Sequence, residues 1–335
     1  MSDMSPLFWI LIFIISLVAL VKGADWFLES AEKIGLTLGM SPFLVGVLIV
    51  GLGTSFPELV SGFFALFKGV NEFVIANAVG SNITNILLVI GVAAVAGKHL
   101  LITKDLIDLD LPLLGISTLM FLGVAWDGKV VLAESLLLLA IYAIYLWYAL
   151  SGDDHEKSER ALPAKVKRRW KVFHLGGFFE SQGKANKIKL KDLAFLLAGG
   201  LLLFIGAKYL VDSVISLSEI FAIAPTVIAI GAVALGTSLP ELIVSIKAAL
   251  QKKSDVVLGN ILGSNVFNLL GVVGIPGLFG TLYIDSVTFY LGLPVLLAST
   301  FMFVIVASSK RIHIWEGAMF LILYIFFIGK LFSLF

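Results

Sequence analysis

Residues 51–91 read GLGTSFPELVSGFFALFKGVNEFVIANAVGSNITNILLVIG, and residues 234–274 read ALGTSLPELIVSIKAALQKKSDVVLGNILGSNVFNLLGVVG. The second stretch repeats the first without a gap, 183 positions later, and agrees with it at roughly two positions in five. The agreement is concentrated in two polar motifs, GTSxPEL and GSNxxN, which lie inside strongly apolar sequence. The chain therefore contains an internal duplication that is organised around these two motifs.

The composition of the chain indicates that its solvent is lipid. Hydrophobic residues make up 59% of the 335 residues and the mean hydropathy is +1.04, well above the values of a soluble domain. Each half contains five apolar runs that are long enough to span a bilayer. We therefore predict an all-α polytopic membrane protein with ten transmembrane helices, near residues 7–28, 42–67, 73–96, 109–126, 130–150, 193–213, 225–250, 256–279, 287–308 and 315–334.

The charged residues predict how these helices are oriented. Residues 151–191 are rich in lysine and arginine, whereas the loops on the opposite side carry few. By the positive-inside rule, this segment is a cytoplasmic basic loop of a plasma-membrane protein, and both termini lie outside. Because each half has an odd number of helices, residues 1–150 and 192–335 are predicted to form two inverted five-helix repeats. The net charge of +1 gives no reason to expect a nucleic-acid partner.

Each GTSxPEL motif predicts a broken helix near the bilayer midplane. Pro57 and Pro240 have no N–H to offer the carbonyl four residues earlier, at Gly53 or Gly236. A glycine at this position makes unwinding easy, and the freed carbonyls need partners because the hydrocarbon core contains no bulk water. A bound cation is such a partner.

Oxygen atoms suitable for a cation accompany each break. Glu58 and Glu241 follow the prolines, and Thr54 and Thr237 lie one helical turn before them. The GSNxxN helices add two polar stripes at four-residue spacing, formed by Asn77, Ser81 and Asn85 and by Asn260, Ser264 and Asn268. Calcium takes about six to eight oxygen ligands, which this set can supply. The absence of cysteine, and of histidine within a predicted span, argues against zinc, copper and iron.

The two carboxylates also indicate a mode of transport. Emptying the site would leave two negative charges close together in a low dielectric, so another cation must replace a departing calcium ion. Several sodium ions, or protons on Glu58 and Glu241, would serve. A passive cation channel is less favoured, because channels usually place their pore on a symmetry axis normal to the membrane. An enzyme is not expected, because no cysteine, histidine or lysine in the spans is placed as nucleophile or base.

Two GTSxPE helices, each followed by a GSNxxN helix, closely resemble the cation/calcium exchanger superfamily, in particular its prokaryotic sodium/calcium exchanger branch. The resemblance implies a secondary active antiporter that exchanges calcium for sodium by alternating access, without a cofactor, and we expect it to function as a monomer in the lipid bilayer. The ion-binding residues that the resemblance implies are Thr54, Ser55, Glu58, Ser81, Asn85, Thr237, Ser238, Glu241, Ser264 and Asn268, with the backbone oxygens of Gly51 and Ala234.

The chain departs from some members of that superfamily at Asn268. The potassium-dependent animal exchangers have an aspartate at this position, so the resemblance does not imply potassium co-transport here. The proton-coupled branch typically reads GNATE where this chain reads GTSFPE and GTSLPE. Sodium coupling is therefore the first hypothesis, and a proton/calcium antiporter is the alternative.

Overall fold

The computed structural model describes residues 5–37, 55–102, 110–159 and 189–334, which are mostly helical. The helices are α1 (Pro6–Thr37), α2 (Phe56–Phe67), α3 (Glu72–Gly97), α4 (Leu111–Val124), α5 (Leu132–Glu159), α6 (Leu190–Phe221), α7 (Pro225–Thr237), α8 (Leu239–Leu250), α9 (Ser254–Phe267, continued through Val273–Gly277), α10 (Thr288–Ser308) and α11 (Ile314–Leu331). Four short strands join them: β1 (His99–Leu101), β2 (Lys129–Val130), β3 (Leu282–Tyr283) and β4 (Arg311–His313).

The described part of the chain contains fewer helices of full membrane-spanning length than the ten predicted for the whole chain. Within the described residues, six helices are long and apolar enough to cross a bilayer, or seven if the bent pair α7 and α8 counts as one span. Three shorter apolar helices occupy further predicted spans, at Phe56–Phe67, Leu111–Asp127 and Leu132–Tyr148. The first of these begins at Phe56, and residues 42–54 of the predicted span 42–67 lie outside the described residues.

The two GSNxxN helices form the centre of the molecule. The most apolar stretches of α3 and α9 are 83% and 78% buried, whereas those of α1 and α6 are 28% and 33% buried. This arrangement follows from the sequence, because the asparagines and serines of α3 and α9 cannot face lipid without a large cost. The apolar side chains of α1 and α6, such as Leu11, Ile15 and Leu201, are instead exposed.

Glycines allow α1 and α6 to pack backbone against backbone. A Cβ added to Gly23 would lie 2.6 Å from the nitrogen of Leu203, and one added to Gly206 would lie 2.7 Å from the nitrogen of Leu20. Such close approach is typical of small-residue interfaces in membranes. Both helices are longer than the predicted spans 7–28 and 193–213.

Short antiparallel ladders, which the all-α prediction did not include, link the two halves of the chain. Strand β1 pairs with β4, with His99 opposite His313, and β2 pairs with β3, with Lys129 opposite Tyr283. In each ladder one strand comes from the first half and the other from the second. The residues involved leave a helix and have no further helical partners for their N–H and C=O groups, so pairing satisfies these groups.

Several helices contain π-helical segments at the repeated motifs. These segments are Thr84–Ile90 in α3, Ala229–Val233 in α7 and Asn268–Val272 in α9, with another at Thr288–Gly292 in α10. Segments of this kind are rare and are often found at functional sites. The predicted break at Pro240 is confirmed, because α7 and α8 meet at Ser238 with a bend of 42°.

Residues 151–159 continue α5 past residue 150, where the basic loop was predicted to begin. Residue 160 lies outside the described residues, so the boundary between the first repeat and the basic loop stays a prediction. The remainder of the predicted loop up to residue 188 lies outside the described residues.

Candidate functional site

Each half contributes one glutamate from the first turn of the helix that begins within its GTSxPEL motif. Glu58 lies at the beginning of α2 and Glu241 at the beginning of α8, each immediately after its proline. Both residues are completely buried. The first turn of a helix has unsatisfied N–H groups and a positive dipole end, which stabilise a carboxylate there. Proline suits this position because its missing N–H is not needed in the first turn.

Hydroxyl groups of the first half donate hydrogen bonds to both carboxylates, including the one in the second half. Ser81 Oγ, on α3, donates a hydrogen bond to Glu58 Oε1 at 3.3 Å. Ser55 Oγ, from the first half, donates to Glu241 Oε1 in the second half at 3.5 Å. The two GTSxPEL motifs therefore form one polar centre.

Amide side chains from both central helices contribute to the same centre. Asn85 Nδ2, on α3, donates to Asn265 Oδ1, on α9, at 3.0 Å. Asn85 Oδ1, Ser238 Oγ and both amide atoms of Asn268 are buried and have no hydrogen-bond partner among the described residues. Leaving a buried polar atom unsatisfied costs about 1–3 kcal/mol, so several such atoms together indicate a place where a polar ligand binds.

The other predicted site residues differ in their surroundings. Thr237 Oγ1 donates to the carbonyl of Val233 at 3.1 Å, within its own helix. The carbonyl of Ala234 accepts the N–H of Ser238 at 3.1 Å, so it is partly engaged within the helix. Ser264 is buried on α9. Gly51 and Thr54 lie outside the described residues.

The first asparagines of the two polar stripes, Asn77 and Asn260, have different surroundings. Asn260 is half-buried, and its Nδ2 donates to Ser245 Oγ at 3.4 Å and to the carbonyl of Glu241 at 3.5 Å. Asn77 is fully buried, and neither of its amide atoms has a partner among the described residues. Sequence reasoning gave no special weight to Asn265, although its place inside the GSNxxN motif was a signal.

Neutral oxygens outnumber the charged ones at this centre. Within residues 5–37, 55–102, 110–159 and 189–334, no group of three or more histidine, aspartate and glutamate residues is placed to hold a metal ion. A cation at the centre would therefore meet two carboxylates together with hydroxyl, amide and carbonyl oxygens. Such a donor set fits a hard cation such as calcium or sodium.

A separate cavity of about 680 Å³ lies between the beginning of α1, the end of α2 and the last turns of α6. Its lining includes Trp9, Lys68, Asp212 and Glu219, but neither Glu58 nor Glu241. Lys68 Nζ lies 2.8 Å from Asp212 Oδ1 and forms an ion pair across the cavity wall. This ion pair joins the end of the helix that carries Glu58 to α6.

Comparison with known proteins relates the whole chain to ion exchangers. The family model described as "Sodium/calcium exchanger protein" matches residues 8–151 and 191–332. The chain is 32% identical to sodium/calcium exchanger MaX1 of Methanosarcina acetivorans, over 96% of this chain and 98% of that protein. It is 25% identical to human sodium/potassium/calcium exchanger 5, over 83% of this chain and 71% of that protein.

A solved structure supports the same relationship. The fold is similar to that of the sodium-calcium exchanger NCX_Mj in crystals soaked with Na⁺ and Sr²⁺, with a TM-score of 0.62 and 27% identity. The alignment covers 97% of this chain and 99% of that one.

Proposed function

The chain belongs to the sodium/calcium exchanger protein family, and we propose that it is a secondary active antiporter that exchanges Ca²⁺ for Na⁺ across a membrane by alternating access. Its relatives are membrane ion exchangers, and sodium and calcium are the ions in the names of MaX1 and NCX_Mj. Calcium is the transported substrate in this proposal, and it is held between Glu58 and Glu241.

The observation that carries the proposal is the pair of buried glutamates, one from each half. Two carboxylates neutralise one calcium ion, and an isolated pair of this kind inside a membrane protein is costly unless cations bind to it. Both glutamates are fully buried and both accept hydrogen bonds from hydroxyl groups of the repeated motifs. A merely structural pair would not require a buried glutamate at the same place in both copies of the repeat.

The remaining ligands in the proposed site are neutral. They are the hydroxyls of Thr54, Ser55, Ser81, Thr237, Ser238 and Ser264, the amides of Asn85 and Asn268, and the carbonyls of Gly51 and Ala234. The unpartnered buried amide of Asn268 and the unpartnered Asn85 Oδ1 support their inclusion, because a bound cation would satisfy these oxygens. Human sodium/potassium/calcium exchanger 5 has potassium in its name, but we propose no potassium site here, since Asn268 is uncharged.

The proposed architecture has ten membrane-spanning helices in two inverted repeats, residues 1–150 and 192–335, on either side of a cytoplasmic loop at 151–191. The two strand ladders support this architecture. In the repeat, β1 corresponds to β3 and β2 corresponds to β4, but β1 pairs with β4 and β2 pairs with β3. Such reciprocal pairing is expected around a pseudo-two-fold axis in the membrane plane. In this proposal both termini are outside and the functional unit is a monomer.

Coupled exchange by alternating access requires that the protein with an empty site cannot switch freely between exposing the site to one side of the membrane and exposing it to the other. Two unpaired carboxylates in a low dielectric oppose such a change, whereas calcium or several sodium ions relieve the repulsion. Coupled exchange follows from this difference. Protonation of both glutamates would relieve the repulsion equally well, so a proton/calcium antiporter is the alternative that the experiment must distinguish.

The test is calcium uptake into proteoliposomes that contain the purified protein. With the membrane potential clamped by potassium and valinomycin, an outward sodium gradient is expected to drive uptake of radioactive calcium, and an imposed pH gradient is not. Uptake driven by the pH gradient alone would establish proton coupling. Uptake that equilibrates without any counter-ion would indicate a channel.

Variants of the two glutamates test the site itself. Glu58→Gln and Glu241→Gln each remove half of the central charge and are expected to abolish exchange in protein that still folds. Glu29→Gln is the matched control, because Glu29 is exposed on α1 and paired with Lys33 at 2.6 Å. Calcium exchange at the level of the control in either central variant would refute the assignment.

A further inference from the structure

A tyrosine from the last helix of each half contacts the residue that precedes a site asparagine. In the first half of the site, the hydroxyl of Tyr324, on α11, lies 3.3 Å from Thr84 Oγ1, and Asn85 follows Thr84. In the second half, the ring of Tyr142, on α5, lies 5.4 Å from the ring of Phe267, and Asn268 follows Phe267. The contacted residues, Thr84 and Phe267, occupy equivalent places in the two motifs.

The two tyrosines also occupy equivalent places on their own helices. Each follows the first residue of its helix by ten positions, from Leu132 to Tyr142 and from Ile314 to Tyr324. Both are almost completely buried, with 7% and 6% of their surface exposed. The duplicated fold therefore repeats the contact, although one copy uses two hydroxyl groups and the other uses two aromatic rings.

The contacts fall where the central helices change from α to π geometry. Thr84 is the first residue of the π segment in α3, and Phe267 is the last residue before the π segment in α9. A π segment is less stable than α-helix and requires support from its surroundings. The position at which it begins sets the direction of the next side chains around the helix axis, including those of Asn85 and Asn268.

We propose that Tyr324 is a positioning residue for ion binding, and that its hydroxyl contact with Thr84 holds the start of the π segment so that Asn85 faces the central glutamates. The proposal rests on the proposed exchange function and goes beyond it, since Tyr324 does not itself contact the ion. Asn85 Nδ2 donates to Asn265 at 3.0 Å, while Oδ1 has no partner among the described residues. A rotation of Asn85 about the helix axis would break the first contact and turn the oxygen away.

A simpler interpretation is that Tyr324 fills space beside α3. The two interpretations differ in what they require of the hydroxyl group, because a space-filling ring needs no O–H. Burying a phenolic hydroxyl is unfavourable unless it finds a hydrogen-bond partner, and Thr84 is that partner here. Tyr142 supplies the matched control within the same protein, since it contacts Phe267 through its ring.

The experiment compares Tyr324→Phe, Thr84→Val and the double variant with Tyr142→Phe in proteoliposomes. Loss of one buried hydrogen bond is expected to raise the KM for calcium roughly 2- to 10-fold in Tyr324→Phe and in Thr84→Val, with the maximal rate preserved. The double variant is expected to match the single variants, because both remove the same bond. Tyr142→Phe is expected to leave KM unchanged. Calcium binding to the purified proteins and their melting temperatures are measured in parallel.

Three results would overturn the inference. Equal KM values in Tyr324→Phe and Tyr142→Phe would show that the hydroxyl has no positioning role. Additive effects in the double variant would show that Thr84 and Tyr324 act separately. A fall in melting temperature without a change in calcium affinity would assign Tyr324 to stability alone. Each of these leaves wild-type exchange intact, whereas a wild type that neither binds nor exchanges calcium would overturn the proposed function and this inference together.

Discussion

Adding one methyl group at Gly80 tests how closely the central helices must pack for the site to form. Gly80 begins the first GSNxxN motif, and α7 passes directly over it. A Cβ at this position would overlap the carbonyl oxygen of Ile230 and would lie 2.7 Å from Ile230 Cα and 2.8 Å from Ala234 Cβ. Carbon atoms pack at about 3.5–4.0 Å, so α3 and α7 would have to separate by roughly 1 Å.

The expected cost of Gly80→Ala follows from these distances. Overpacking of this kind costs about 1–3 kcal/mol, and the better helix propensity of alanine returns about 0.5–1 kcal/mol. A net destabilisation of about 1–2 kcal/mol is therefore expected. A displacement of α3 by about 1 Å would also disturb the 3.3 Å hydrogen bond from Ser81, the next residue, to Glu58 on α2. We expect a lower melting temperature and weaker calcium exchange together.

The repeat supplies the control for this variant. Gly263 is equivalent to Gly80 in the second motif, but a Cβ added there meets nothing within 4 Å. Gly263→Ala is therefore expected to be neutral or slightly stabilising, and to keep normal exchange. Melting temperatures in detergent and calcium uptake in proteoliposomes measure both effects. If Gly80→Ala behaved like Gly263→Ala in both assays, the close contact between α3 and α7 would have no role in stability or transport.

Two further predictions concern charge. Asn268→Asp adds a third carboxyl group and is expected to change the calcium affinity, or the pH dependence of that affinity, between about pH 6 and 9. If the calcium-binding curves of this variant superimpose on those of the wild type, with and without potassium, Asn268 does not belong to the site. Lys68→Met removes the partner of Asp212 in the cavity wall. At low ionic strength this variant is expected to have a lower KM for calcium added on the side of the membrane that the cavity faces, and salt is expected to abolish the difference from wild type. Lys129→Met is the control, because Lys129 does not line that cavity. An equal change in KM in both variants would contradict the prediction, and so would a change in KM that persists at high salt.

Much of the central architecture could be predicted because it depends on local chemistry. The proline in GTSLPEL requires a break wherever the helix lies, and the structure bends there by 42°. Glu58 and Glu241 could be predicted as buried because a glutamate within an apolar run in both copies has no solvated alternative. Helical spacing likewise put Ser81 and Asn85 on one face of α3.

The partners of these residues could not be predicted in the same way. The bond from Ser55 to Glu241 and the bond from Asn85 to Asn265 join residues more than 170 positions apart, and periodicity within one helix does not say which residue of another helix it meets. The π segments depend on packing and have no composition of their own. The lengths of α1 and α6 exceed the predicted spans because hydropathy marks the hydrocarbon core, whereas α1 continues through the Glu29–Lys33 pair to Thr37.

The bonds that join the two halves have a consequence for how the protein is made. During synthesis the first half leaves the ribosome before Glu241, Asn265 and strands β3 and β4 exist, so Ser55, Asn85, β1 and β2 must wait for their partners. The nascent first half therefore carries exposed polar groups within the bilayer until translation of α9 is complete.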